Sequence, residues 1–503
     1  MKGLIANRIL PLLVVMLALA AAAGLAGFRH SFPVAEDTSA PLPPAVAVNA
    51  QVRACPGPGM AGSKGAGLAL VAKPGTTGAG RALVSRLGPA SAAPLRTLTR
   101  PGVWSQLGVP PVRGGSPGPK PGARPSAAAG HVPTAPQPGG VVVQATAAMA
   151  SGLEVEQIPA GGHESTRCES PGTDFWFAGP GRYSVPRIQI FLLNIASAAA
   201  VVNVEAFTDA GPLQGGADTG IAVAPHSMVV QSLGGILHGS RVIALHVRTS
   251  VGQVVAAAEE TKGRARFGAW LPAAQPPATQ VFVPGLPATA GTRQLYVAVP
   301  GTKDARVTLS AITSRGTYQP TGAGALDIPG GSAITISLSS LSGIPGALKL
   351  SANVPLFASV MLPGGPRGAP GVFSATAWPV QQQGVVAYSS GGAGQSCQLV
   401  LSAPGAPVTA RISVIGAGGP LGKDLTVHVK ARHSKVVPLG RSSGSHRRLS
   451  FAVVITPLPG SGPLYAGRVL LGGGTIQSIL PVETAVTRVA LPRVQSALVT
   501  MAR

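Results

Sequence analysis

After Gly140 the chain is written in short runs of Val, Ile, Leu and Ala, cut by Gly and Pro at intervals of about 8–12 residues. Within runs such as IQIFLLN (188–194) and RVTLSAIT (306–313), length, β-branching and period-two alternation predict strands. The turns between them predict antiparallel pairing, as in a β-sandwich or barrel.

The runs recur in order. Segments 188–213, 294–318 and 398–421 each give a strand, a small polar turn, an alternating strand and a glycine. Each is followed by a strand–turn–strand element at 221–233, 326–338 and 427–439. Longer apolar runs follow at 243–258, 348–362 and 451–471, and closing elements at 268–287, 375–390 and 477–494. The starts Ile188, Gln294 and Gln398 lie 106 and 104 residues apart. A period near 105 is too long for a solenoid and suits one sandwich of about seven strands. The expectation is an all-β protein with about three tandem immunoglobulin-like β-sandwich modules, at 141–287, 288–390 and 391–503. Such modules form a rod in series, or pack closely with the closing element of one completing the next.

Composition agrees with an all-β body. The 68 Gly and 49 Pro make up about 23% of 503 residues, which disfavours helix interiors. Hydrophobic residues at 45% suffice for a core, while aromatics are 4% and charged residues 11%. The Pro, Gly, Ala and Ser richness of 31–140, as in PGARPSAAAGHVPTAPQPGG (121–140), predicts a spacer. AVAVNAQVRACPG (45–57) and GLALVAK (67–73) make it partly ordered near Cys55.

Residues 1–30 read as a signal anchor. Lys2 and Arg8 precede an apolar run, Ile9–Phe28, long enough to span a bilayer as one transmembrane helix. Ala20–Ala22 offers an A-x-A cleavage site, but the run exceeds a usual signal core. Positive charge before the span puts the N-terminus inside and the body outside. The expected location is the cytoplasmic membrane, or secretion if the segment is cleaved.

Lys plus Arg is 39 against 16 Asp plus Glu, a formal net charge of +23. Acid depletion suits either a habitat or anionic partners such as wall polymers or lipid headgroups. Its densest expression is Lys423, Lys430, Arg432, His433, Lys435, Arg441, His446, Arg447 and Arg448, with Asp424 the one acid among them. On strands these can form a face that grips polyanions, or simply a solvated surface. Nucleic acid is not expected, because aromatics do not interleave with these cations. Of Cys55, Cys168 and Cys397, one pair can bridge and one is left over.

The segment CESPGTDFWFAGPG (168–181) resembles the C-x-x-P-x-T-D-F-W-F-x-G signature of an actinobacterial exported family, domain of unknown function 5719. GLEVEQ (152–157), Cys55-Pro56, WLPA (270–273) with VPGLP (283–287), and GPLYAGRVL (462–470) are similar to it too. The resemblance implies an envelope protein with tandem sandwiches and no assigned activity. It also implies a Cys55–Cys168 disulfide, tying the spacer to the DFWF strand, and leaves Cys397 a free thiol.

Other candidates weigh less. Asp174, Phe175, Trp176 and Phe177 are either a core anchor or an aromatic platform for a sugar ring. Glu259 and Glu260, adjacent on a strand, point to opposite faces and suit a turn or edge better than glycoside hydrolysis. Nine histidines show no metal-binding spacing, and no cofactor motif is present. GGSPG (114–118) lacks the strand and helix of a nucleophile elbow, and GPGMAGSK (57–64) is no P-loop. The expected role is therefore non-catalytic: binding or organising anionic envelope glycans or proteins. The alternatives are an accessory factor for surface-polysaccharide synthesis or export that binds a membrane enzyme, and a glycan-active enzyme.

Overall fold

The computed structural model describes residues 45–57, 66–72, 78–88, 93–109, 139–159, 165–181, 187–213, 218–233, 239–261, 268–322, 325–364, 371–392, 394–439 and 449–490. The predicted span Ile9–Phe28 lies outside them. Among the described residues no helix is long and apolar enough to cross a membrane. They form antiparallel strands and one 3-10 turn, Ser339–Leu341. Residues Ala47–Val489 form one compact unit.

The strands build four pairs of facing sheets, not three. In the second pair, Asp174–Pro180, Val242–Val251 and Ala200–Thr208 lie side by side, with Gly211–Pro212 and Asp218–Val223 on the last. The facing sheet runs Ser227–Ser232, Arg187–Asn194, Val255–Thr261, Gly268–Leu271. The fourth pair repeats this order, with Gly384–Gly391, Leu449–Pro457 and Val408–Gly416 facing His433–Leu439, Gln395–Ala403, Tyr465–Gly472 and Thr475–Val482. In the third, one 17-residue strand, Gly346–Leu362, runs through both sheets and pairs with Ala305–Thr313 in one and Gln294–Val299 in the other.

The stretch 31–140 expected as a spacer supplies most of the first pair. Ala50–Cys55, Val141–Ala147, Gly80–Arg86 and Arg96–Leu98 form one sheet, and Ser105–Val109, Ala66–Val71, Glu154–Pro159 and Thr166–Arg167 the other. The boundary expected at 141 therefore falls inside a sandwich: Val141–Ala147 pairs with both Ala50–Cys55 and Gly80–Arg86. The Pro-rich 110–138 lies within one connection of this pair and breaks the 105-residue period there, which hides the fourth copy.

Each pair closes on an apolar core, the first on Leu68, Leu70, Val84, Val143 and Val155. Packing continues between pairs. Ala54 and Val142 of the first meet Phe191, Leu193 and Trp270 of the second. Phe177 and Leu245 of the second share a core with Tyr296, Phe357 and Phe373 of the third. Val281 and Leu350 of the third meet Val400, Val469 and Ile479 of the fourth. Trp104, Ala69 and Ile158 of the first pack into the core of the fourth, closing the circuit. Many sheets are thus covered on both faces, and Gly384–Gly391 is buried at every residue. At one crossing Gly467 sits against Gly285, where a Cβ would strike backbone.

Candidate functional site

In pairs two to four, the last strand of one sheet passes to the first of the other through three residues, 224–226, 329–331 and 430–432. Each turn ends in the left-handed region, at His226 (φ 51), Gly331 (φ 72) and Arg432 (φ 62). Turning this corner so tightly requires positive φ. In the fourth pair the corner carries the expected cations. Lys423, Lys430, Arg432 and Lys435 are all exposed. Val427, Val429 and Val437 point inward, so His428 and Lys435 point out. Lys435 Nζ donates to the His428 carbonyl at 3.3 Å. The Arg432 backbone is pinned: its N–H donates to Ala403 O at 2.7 Å, and its carbonyl accepts from Thr317 Oγ1 at 2.9 Å. Among the described residues none of these four cations joins an ion pair. Arg441, His446, Arg447 and Arg448 lie outside the described residues.

The acids are placed otherwise. Glu154, Glu156, Glu259 and Glu260 are all buried. Glu156 Oε2 accepts from Arg468 Nη2 at 2.7 Å and from Ser165 Oγ at 3.0 Å, and Oε1 accepts the Tyr388 N–H at 2.9 Å. Glu154 meets Arg53 at 2.9 Å and Arg167 at 3.5 Å, and Arg167 also meets Glu483 at 3.1 Å. Burial, then the Glu483 charge, pushes half-buried Glu169 up to about 7, against the pull of Arg167 and Arg53. Among the described residues Glu260 has no hydrogen-bond partner on either oxygen, and burial raises it well above the carboxylate range. The sequence suggested a turn or edge for Glu259 and Glu260. Instead their strand, Val255–Thr261, is flanked by Arg187–Asn194 and Gly268–Leu271, and its two faces are both covered.

The aromatic signature is interior. Phe175, Trp176 and Phe177 are buried, and Trp176 stacks on His246 with centroids 3.7 Å apart and planes within 5°. His246 Nε2 lies 2.7 Å from Asp174 Oδ1 and Nδ1 lies 3.1 Å from Glu205 Oε2. Asp174 and Glu205 thus hold, one on each ring nitrogen, the imidazole that stacks on Trp176. Sequence reading missed this cluster because its members lie 72 and 41 residues apart; outward-facing acid and histidine on neighbouring strands were the only available signal. Among the described residues no group of three or more His, Cys, Asp or Glu is placed to hold a metal.

Cys55 and Cys168 form a disulfide, Cα–Cα 4.5 Å. It links the two sheets of the first sandwich, beside the Ala54 N–H to Glu169 O bond, rather than a spacer to the DFWF strand. Cys397 is free and buried, and burial pushes its thiol up to about 11.

The profile of the family of unknown function DUF5719 matches residues 122–440, and the chain belongs to that family. No curated protein matches it.

Proposed function

We propose that this member of the DUF5719 family is a non-catalytic protein of the cell envelope. Its immunoglobulin-like sandwiches stand outside the cytoplasmic membrane, tethered by the single span Ile9–Phe28. They hold anionic envelope glycans on the cationic corner of the fourth sheet pair. The observation that carries this reading is the partition of charge. In an acid-poor chain, several of the few carboxylates are spent inside: Glu154 and Glu156 on Arg53, Arg167 and Arg468, and Glu260 with no hydrogen-bond partner among the described residues. Among the described residues Lys430, Arg432 and Lys435 stay exposed without ion-pair partners around one hydrogen-bonded turn. Cations on a fixed backbone attract a polyanion without ordering a loop first. A disulfide also suits an oxidising compartment.

The test is retention of residues 31–503 on an isolated cell-wall fraction across a salt series. A fragment starting at 141 would cut the first sandwich in two and is unsuitable. Retention at about 0.05 M salt, lost by about 0.5 M as the Debye length shrinks, is the expected result. Lys430→Gln, Arg432→Gln and Lys435→Gln together should lower it at low salt. Retention indifferent to both salt and these changes would sink the reading.

A further inference from the structure

The corner that closes three of the sheet pairs is open in the first. There the outer strands Arg96–Leu98 and Ser105–Val109 are joined by six residues, 99–104, instead of three. The longer link makes its turn at Pro101–Gly102. It reaches to the fourth pair, where the Trp104 N–H donates to Gly416 O at 3.1 Å and its indole N–H to Ala387 O at 2.8 Å. Between the parted strands lies a groove of about 910 Å³.

The groove has a definite chemistry. Leu98 and Leu107 rest against the core of the first pair and form an apolar floor, with Val103 beside them. Exposed Arg96 and Arg100 stand on the rim, and none of the residues lining it is an acid. Among the described residues each wall is the outermost strand of its sheet, so each presents backbone N–H and C=O groups along an open edge.

We propose that this groove receives an extended peptide segment of alternating apolar and acidic residues from a protein partner. A strand presents side chains to opposite faces with a period of two. Apolar residues would meet the leucine floor while acids meet Arg96 and Arg100, and the backbone would pair with an open edge. A glycan fits less well. The one aromatic in the groove, Trp104, is buried with its N–H committed, and aliphatic leucines offer no ring for a sugar to stack on. The site is separate from the Lys430–Lys435 corner and stands without it.

The probe is a capped nine-residue peptide of alternating valine and aspartate, titrated against the full chain in detergent. A valine–lysine peptide and an oligogalacturonate of similar charge serve as comparisons. The expected result is binding of the aspartate peptide alone. It should weaken at least about tenfold in the pair Arg96→Glu and Arg100→Glu, which would turn the preference to the lysine peptide. Arg432→Glu should leave it unchanged. Amides of Arg96–Leu98 or Ser105–Val109 should gain hydrogen-exchange protection on binding. Equal binding and competition by oligogalacturonate would overturn the proposal in favour of a glycan groove. No binding, or protection only elsewhere, would overturn it outright.

Discussion

The seam between the first and fourth sheet pairs and that between the second and third each bury a glutamate, and treat it in opposite ways. In the first–fourth seam, Glu156 is met by the nearby Ser165 and, from distant segments, by Arg468 and the Tyr388 N–H. In the second–third seam, Glu260 lies near Leu271 and Tyr296 and, among the described residues, has no hydrogen-bond partner. Trp176 Nε1 is likewise unpartnered there, although its ring packs edge-on against Phe357. A buried charge is costly unless paired: the first seam gives its carboxylate a cation, whereas in the second burial favours the neutral acid. The lesson concerns specificity. The first–fourth seam joins segments some 300 residues apart in sequence, and its fixed hydrogen-bond geometry can select one register where apolar packing alone tolerates several.

The largest expected effect breaks the paired seam. Arg468→Met leaves Glu156 buried without its cation and should cost about 3–5 kcal/mol in urea unfolding. Adding Glu156→Gln should recover part of that loss, and no recovery would mean the pair is not coupled. Next comes pH. Glu169, at about 7, and Glu260 both lie above their unfolded values near 4.5. Their stabilising contribution is therefore full below about pH 4.5 and lost as pH rises through the folded values. For Glu169 the loss is at most about 3 kcal/mol. Thermal midpoints should fall between pH 4.5 and 8 for the chain with its disulfide intact. Glu260→Met should flatten that fall, raising stability at pH 8 by about 1–3 kcal/mol and little at pH 4. A parallel fall in both proteins would show that Glu260 is not the source. The smallest effect is at the surface. Asp174→Asn removes one half-exposed partner of His246 and should cost about 1 kcal/mol or less. A larger loss would make that cluster a third structural seam.

The strand-rich character was legible because alternation and turn residues act locally, as in Ala305–Thr313, where burial alternates along most of the strand. The cationic run 423–435 was legible as composition, but not its shape. The φ of Arg432 and the three-residue corner emerge only when both sheets are in place. The first sandwich was missed because its period is interrupted at 110–138 and its strands are short and rich in Ala and Gly. The internal role of Glu154 and Glu156 was hidden for another reason. Glu154 is met by Arg53 and Arg167 of its own sandwich, and Glu156 by Arg468 and the Tyr388 N–H of the fourth pair, and no local pattern in EVEQIP announces either.

Sequence alone determined that this protein is all-β, repetitive and poor in acids, and it carried the family signature. These are properties of local conformation and composition, which need no distant partner to exist. Tertiary structure decided which carboxylates are paired, which corner stands open and which cations remain free. Those outcomes depend on a second sheet arriving from a hundred or more residues away, and no local pattern encodes what will cover a strand's other face.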